Sequence, residues 1–177
     1  VWVNGREHED DEGGVVVDRE RLTPQQHAAA AASWSRESPV PGPHRTDRLV
    51  LLLDTLRGLS AVRRQVRTFL ASGLADDAGD AGEDAVERAV LVIDELTSNA
   101  LRHGRSPSRL QVCDDQDRWI VVVGDAAPER LPTPAVDRPA GEGGYGLHVV
   151  SDLSTAHGVH YEVDQKLVWA CLEKPAP

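Results

Sequence analysis

The stretch from Val86 to Gly104 constrains the fold more than any other part of the chain. Val86, Ala89, Val90, Ile93, Leu96 and Ala100 recur at helical spacing and gather on one face. Glu95, Asn99 and His103 stand at four-residue intervals in the same segment. At about 100° of turn per residue they fall within an arc of roughly 80° on a different face. One side of such a helix packs on a core, while the other presents a carboxylate, a carboxamide and an imidazole to whatever lies opposite. An isolated Glu-x-x-x-Asn also describes a solvated polar face, so its meaning depends on the surrounding chain. The helix is expected over about Glu83 to His103, stopping at Gly104. Arg102 and His103 in its last turn complement the negative end of the helix dipole.

The neighbouring segments alternate between strand and helix signals. Leu49 to Leu53 is an apolar run of strand length, and Ser60 to Ala71 carries Val62, Val66, Phe69 and Leu70 at helical spacing. Leu74 to Asp84 reads as an acidic, glycine-rich loop without the ligand spacing of an EF-hand. Strands are expected at Arg109–Cys113 and Trp119–Val123, joined by a polar turn at 114–117, and the second runs into Gly124-Asp125. A long loop from Ala126 to Gly143 follows, with Pro128, Pro132, Pro134 and Pro139. Loops of that length are usually functional or disordered. Gly143-Gly144-Tyr145-Gly146 then opens onto an apolar-periodic helix ending by Leu153. A final hairpin pairs Gly158–Val163 with Leu167–Leu172, with Tyr161 and Trp169 as core aromatics. Many strands and few helices predict an α+β, two-layer α/β sandwich, its helices on one face of a mixed, mostly antiparallel sheet.

The 177 residues suffice for one domain, expected over 47–175, and an appendage at 1–46. Residues 7–12 are acidic and Pro39-Val-Pro-Gly-Pro43 is a stiff spacer, so the appendage is expected to be largely disordered. Within it, Thr23-Pro24-Gln25-Gln26 reads as the start of one short helix ending near Arg36, and Trp2 and Trp34 are candidate docking residues. A formal charge of −10 argues against nucleic acid as a partner. No apolar run has the length to span a bilayer, and the first residues are acidic where a signal peptide is basic and then apolar. Cys113 and Cys171 lack metal-ligand spacing and read as reduced, buried side chains. These features lead to the expectation of a cytoplasmic protein that engages neither membrane nor nucleic acid.

The order of a Glu-Asn helix, a strand ending in Asp125, a Pro/Gly loop and Gly-x-Gly before a helix resembles the Bergerat-type ATPase domain. That domain is shared by histidine kinases, type II topoisomerases and the heat-shock chaperone of the fold. Within it the chain is most similar to the small branch of anti-sigma factor serine/threonine kinases, over about residues 46–174. The resemblance implies ATP with Mg²⁺, and a role for each matching residue. Glu95 is then the general base, and Asn99 supplies a neutral oxygen to the metal, which normally takes only one or two protein ligands beside phosphate. His103 lies near phosphate or lid, and Asp125 accepts a hydrogen bond from the adenine amino group. Gly144, Gly146 and Leu147 bring backbone amides to the phosphates. Ala127 stands where the family usually has Gly, and a positive φ there would be costly. Leu167 stands where a Thr hydroxyl would lie near Asp125. The resemblance also implies a sigma factor and a STAS-type anti-sigma factor antagonist as partners, and a homodimer. The alternative is a catalytically weak or inactive module of the same fold that sequesters a partner protein without phosphoryl transfer.

Overall fold

A computed structural model describes residues 24–44, 47–75, 77–134 and 145–176. In chain order these form α1 (Pro24–Ser35), β1 (Arg48–Leu53), α2 (Leu59–Ser72), α3 (Gly79–His103), β2 (Ser108–Asp115), β3 (Arg118–Asp125), α4 (Gly146–Leu153), β4 (Ala156–Tyr161) and β5 (Lys166–Glu173). The sheet order is β1-β2-β3-β5-β4. All four pairings are antiparallel. The sheet is antiparallel as mostly expected, and among the described residues a parallel bridge joins Glu37 to Val159. α3 also begins several residues earlier than its apolar pattern suggests, absorbing part of the acidic stretch. Asp80 lies in its first turn, where a negative charge suits the helix dipole.

Strand alternation sorts the sheet into two faces. Trp119, Val121 and Val123 of β3 join Val168, Ala170 and Leu172 of β5 in one core with Val66 and Leu70 of α2 and Val90, Ile93 and Leu96 of α3. Ile120, Cys113, Trp169 and Cys171 form a smaller cluster on the opposite face, against which Val40 packs. Both cysteines are free and buried. Burial pushes the Cys171 thiol up, away from its reactive thiolate.

Residues 24–44 fold against the domain where disorder is expected, while Trp2 and the acidic run lie outside the described residues. Trp34 is fully buried. Its indole donates to Ser151 Oγ at 3.2 Å and stacks on His157 with ring centroids 4.6 Å apart. The segment then crosses the sheet's second face: Ser38 accepts from the Trp169 indole at 3.1 Å, and the His44 amide donates to Asp115 at 2.6 Å. Trp34→Ala should cost about 3–5 kcal/mol, the usual range for emptying a buried aromatic site. Urea unfolding measures it, and a loss below about 1 kcal/mol would show that Trp34 is not seated in the core.

The polar turn expected at 114–117 is shorter than its composition suggests. Asp114 and Asp115 are buried strand residues, and Gln116, with φ 49°, makes the turn with Asp117. Asp114 meets Lys174 at 2.6 Å. Burial alone would raise the Asp115 carboxyl, but hydrogen bonds from His44 and Arg118 outweigh it and hold it below the usual range.

Candidate functional site

The polar face of α3 forms one wall of the site. Glu95 and Asn99 are partly buried on it and His103 is exposed at its end. With a rise of 1.5 Å per residue, the three positions span roughly 12 Å of helix axis. Among the described residues neither Glu95 nor Asn99 commits its side chain to a hydrogen bond or ion pair.

The start of α4 closes one end of that line. A Cβ placed on Gly146 would land on the Glu95 carboxylate, 3.0 Å from its Cδ and 3.4 Å from its Cβ. Glycine is therefore what lets the α4 backbone come this close to Glu95. No side chain caps the N-terminus of α4, so the amides of Gly146 and Leu147 lack that partner and suit an anion. The Leu147 side chain points into the core and is 6% exposed, so any ligand contact it makes is through the backbone. Gly144, together with the rest of 135–144, lies outside the described residues.

Gly104 closes the other end. Its amide bonds to Ala100 O at 2.9 Å, and an added Cβ would stand 2.5 Å from that oxygen and 2.5 Å from Asp125 Cγ. The end of α3 thus abuts the Asp125 carboxyl. Asp125 is 2% exposed at the end of β3. Its Oδ1 accepts from the Ala127 amide at 3.0 Å, and its Oδ2 lies 3.3 Å from Lys166 Nζ.

Two expectations about this corner are corrected. Ala127 is buried, yet among the described non-glycine residues positive φ belongs to Gln116, so the anticipated backbone cost at Ala127 does not arise. Leu167 is not the residue that faces Asp125. Strand pairing sets Asp125 against Lys166 and Gly124 against Leu167, and alternation sends the Leu167 side chain to the other face. A Cβ on Gly124 would meet Leu167 Cδ2 at 3.1 Å, on that other face. Lys166 was missed because it reads as a turn residue. Its shared parity with Val168, Ala170 and Leu172 was the signal that placed it inward.

The first part of the loop after β3 is tied to the end of α3. Ala126 N donates to Arg105 O at 2.8 Å, Arg130 Nη1 donates to His103 O at 3.0 Å, and Arg105 pairs with Glu129 at 2.6 Å. Lys166 Nζ holds Arg130 O at 2.6 Å from the other side.

Burial raises the Glu95 carboxyl above its ordinary value; Arg102 opposes the shift and Asp94 adds to it. A raised carboxylate is the stronger base, which suits proton abstraction. Gly146→Ala should drive the flexible Glu95 carboxylate aside and leave the fold intact. A thermal melt beside an NMR titration of the Glu95 carboxyl tests this: little change in melting is expected, with the carboxyl moved back toward its ordinary value. A large loss of melting temperature would show that the Glu95 carboxylate cannot move aside.

A cavity of about 710 Å³ opens among Gly73, Asp77, Gln116 and Lys174. It lies at the opposite end of the sheet, about seven residues along β3 from Asp125.

A two-layer α+β sandwich with a Glu-x-x-x-Asn helix facing a glycine-led helix is the Bergerat type of ATPase fold. The chain belongs to the histidine kinase-like ATPase domain family, whose sequence model matches residues 55–172. Among solved structures it is similar to the RsbU and RsbW domains of Rv1364c from Mycobacterium tuberculosis, with a TM-score of 0.53 and 19% identity. That match covers 75% of this chain and 34% of the other, so the chain spans about a third of that solved chain. No curated protein matches the chain.

Proposed function

We propose that this protein binds Mg·ATP and acts as an anti-sigma factor with serine/threonine kinase activity toward a STAS-type antagonist. The observation that carries this reading is the α3 face, whose Glu95 end meets the α4 N-terminus and whose Gly104 end meets Asp125. One helix thus links a base, a metal-capable amide and an adenine-capable carboxylate in the order a nucleotide would need. The fold shared with a structure that contains an RsbW domain is in keeping with this branch.

The residues fit the ligand by their chemistry. Bound Mg·ATP supplies the phosphoryl group and the cation that offsets its charge. Asn99 would hold the magnesium through its amide oxygen, and a neutral ligand there avoids opposing the triphosphate. The Gly146 and Leu147 amides would face phosphate oxygens. Asp125 would accept from the adenine amino group, and His103 would lie toward the lid. Glu95 takes the proton from the attacking Ser or Thr hydroxyl as that oxygen bonds to phosphorus and the bond to ADP breaks.

The sequestering module is favoured by one observation: both Asp125 oxygens already have partners in the protein. Titration with Mg·ATP separates the readings. Wild type is expected to bind, and Asp125→Asn to bind about ten- to a hundredfold more weakly, the worth of one charge-assisted hydrogen bond. No binding by wild type would favour the module. If ATP binds, labelled ATP with a STAS-type protein tests turnover, and equal transfer by Glu95→Ala would remove Glu95 from the mechanism.

A further inference from the structure

The core-facing row of β5 reads Lys166, Val168, Ala170, Leu172, one charge among apolar side chains. Lys166 is 5% exposed. Its ammonium has three donors. They find Asp125 Oδ2 at 3.3 Å, Ala127 O at 3.5 Å and Arg130 O at 2.6 Å. The residue therefore joins the Asp125 carboxylate to the turn that begins the following loop. Replacing such a buried pair with apolar side chains often costs nothing in stability, so stability is a weak reason for a lysine here. What the ammonium adds at this corner is control of the carboxylate's hydrogen-bonding character.

We propose that Lys166 sets the base selectivity of the site by fixing how the Asp125 carboxylate is turned toward the base, which admits a 6-amino purine and rejects a 6-oxo purine. This rests on the ATP-binding reading above. An ionised carboxylate only accepts hydrogen bonds, at about four lone-pair positions, of which Ala127 N and Lys166 use two. The adenine amino group can donate to a remaining position. The 6-oxo group of inosine would set acceptor against acceptor. Freed of the cation that fixes Oδ2, the carboxylate can turn and accept from the ring N1–H that a 6-oxo purine carries. Lys166 thus acts on the base through Asp125 and is a positioning residue.

The test compares Kd for Mg·ATP and Mg·ITP, by calorimetry on the full chain, in wild type, Lys166→Arg, Lys166→Met and Lys166→Gln. Wild type should prefer ATP. The Met and Gln variants should lose that preference by about tenfold, chiefly by gaining ITP, whereas Arg retains it. Should the Met variant not fold, the Gln variant decides, because its amide still serves the Ala127 and Arg130 carbonyls. Equal weakening of both nucleotides, with the preference intact, would overturn the proposal and leave Lys166 a structural partner. Asp125→Asn separates the two levels. If it abolishes the ATP preference while Lys166→Gln keeps it, this inference alone fails. If wild type binds neither nucleotide, the ATP-binding reading fails and takes the inference with it.

Discussion

Glu95→Gln is expected to reduce phosphoryl transfer by about 10²- to 10⁴-fold, the span of general-base contributions, while ATP affinity changes little. The glutamine fills the same space against Gly146 and cannot take a proton. The same substitution should stabilise the fold at neutral pH, because the folded state holds the charged carboxylate in a partly buried place. The sign follows from the raised folded-state value. Below the ordinary value of 4.5 the wild-type group is neutral in both states and carries no penalty. As pH rises through the folded-state value, the folded protein bears the cost of ionising Glu95, and the variant does not. Melting curves at pH 7 and pH 4 should therefore diverge at the first and converge at the second. An unchanged transfer rate, or a variant less stable at pH 7, would contradict the role assigned to Glu95.

Asp125→Ala is expected to destabilise the protein by about 3–5 kcal/mol, because it leaves the Lys166 ammonium buried without its counter-charge. Asp125→Ala with Lys166→Met should recover much of that loss, since both ends of the pair are then apolar. Urea unfolding of the two single variants and the double closes the cycle. Losses that simply add would mean the two residues do not interact. The cycle also bears on binding experiments: a weak-binding Asp125→Ala is ambiguous between a lost adenine contact and a loosened fold. Asp125→Asn, which retains an oxygen for the Ala127 amide, is the cleaner probe.

These expectations meet at one helix. α3 buries Val90, Ile93 and Leu96 in the sheet core, sets Glu95 against the start of α4, and abuts Asp125 of β3 at Gly104. At Gly104 a side chain would meet the Ala100 carbonyl and Asp125, whereas at Gly146 it would displace the Glu95 carboxylate. The segment 24–44 acts on the other layer, where Trp34 and Ser38 meet β4 and β5. A change there should register in stability before it registers at the nucleotide side.

Local periodicity determined α3, its apolar stripe and the polar line of Glu95, Asn99 and His103, because each depends only on residues within a few turns of one another. The same holds for the glycine-led start of α4, the last hairpin and the two-layer class, each legible as a change of period bounded by turn residues. Only the tertiary structure decided that Lys166, not Leu167, faces Asp125, because that depends on register between strands far apart in the chain, β3 ending at Asp125 and β5 beginning at Lys166. It alone placed Trp34 in the core and turned Asp114 and Asp115 from turn residues into buried partners of Lys174 and of His44 with Arg118. The physical reason is common to all three: a charge or an aromatic in a polar stretch declares its partner only when distant chain is brought against it. Spacing along the chain carries no record of that meeting.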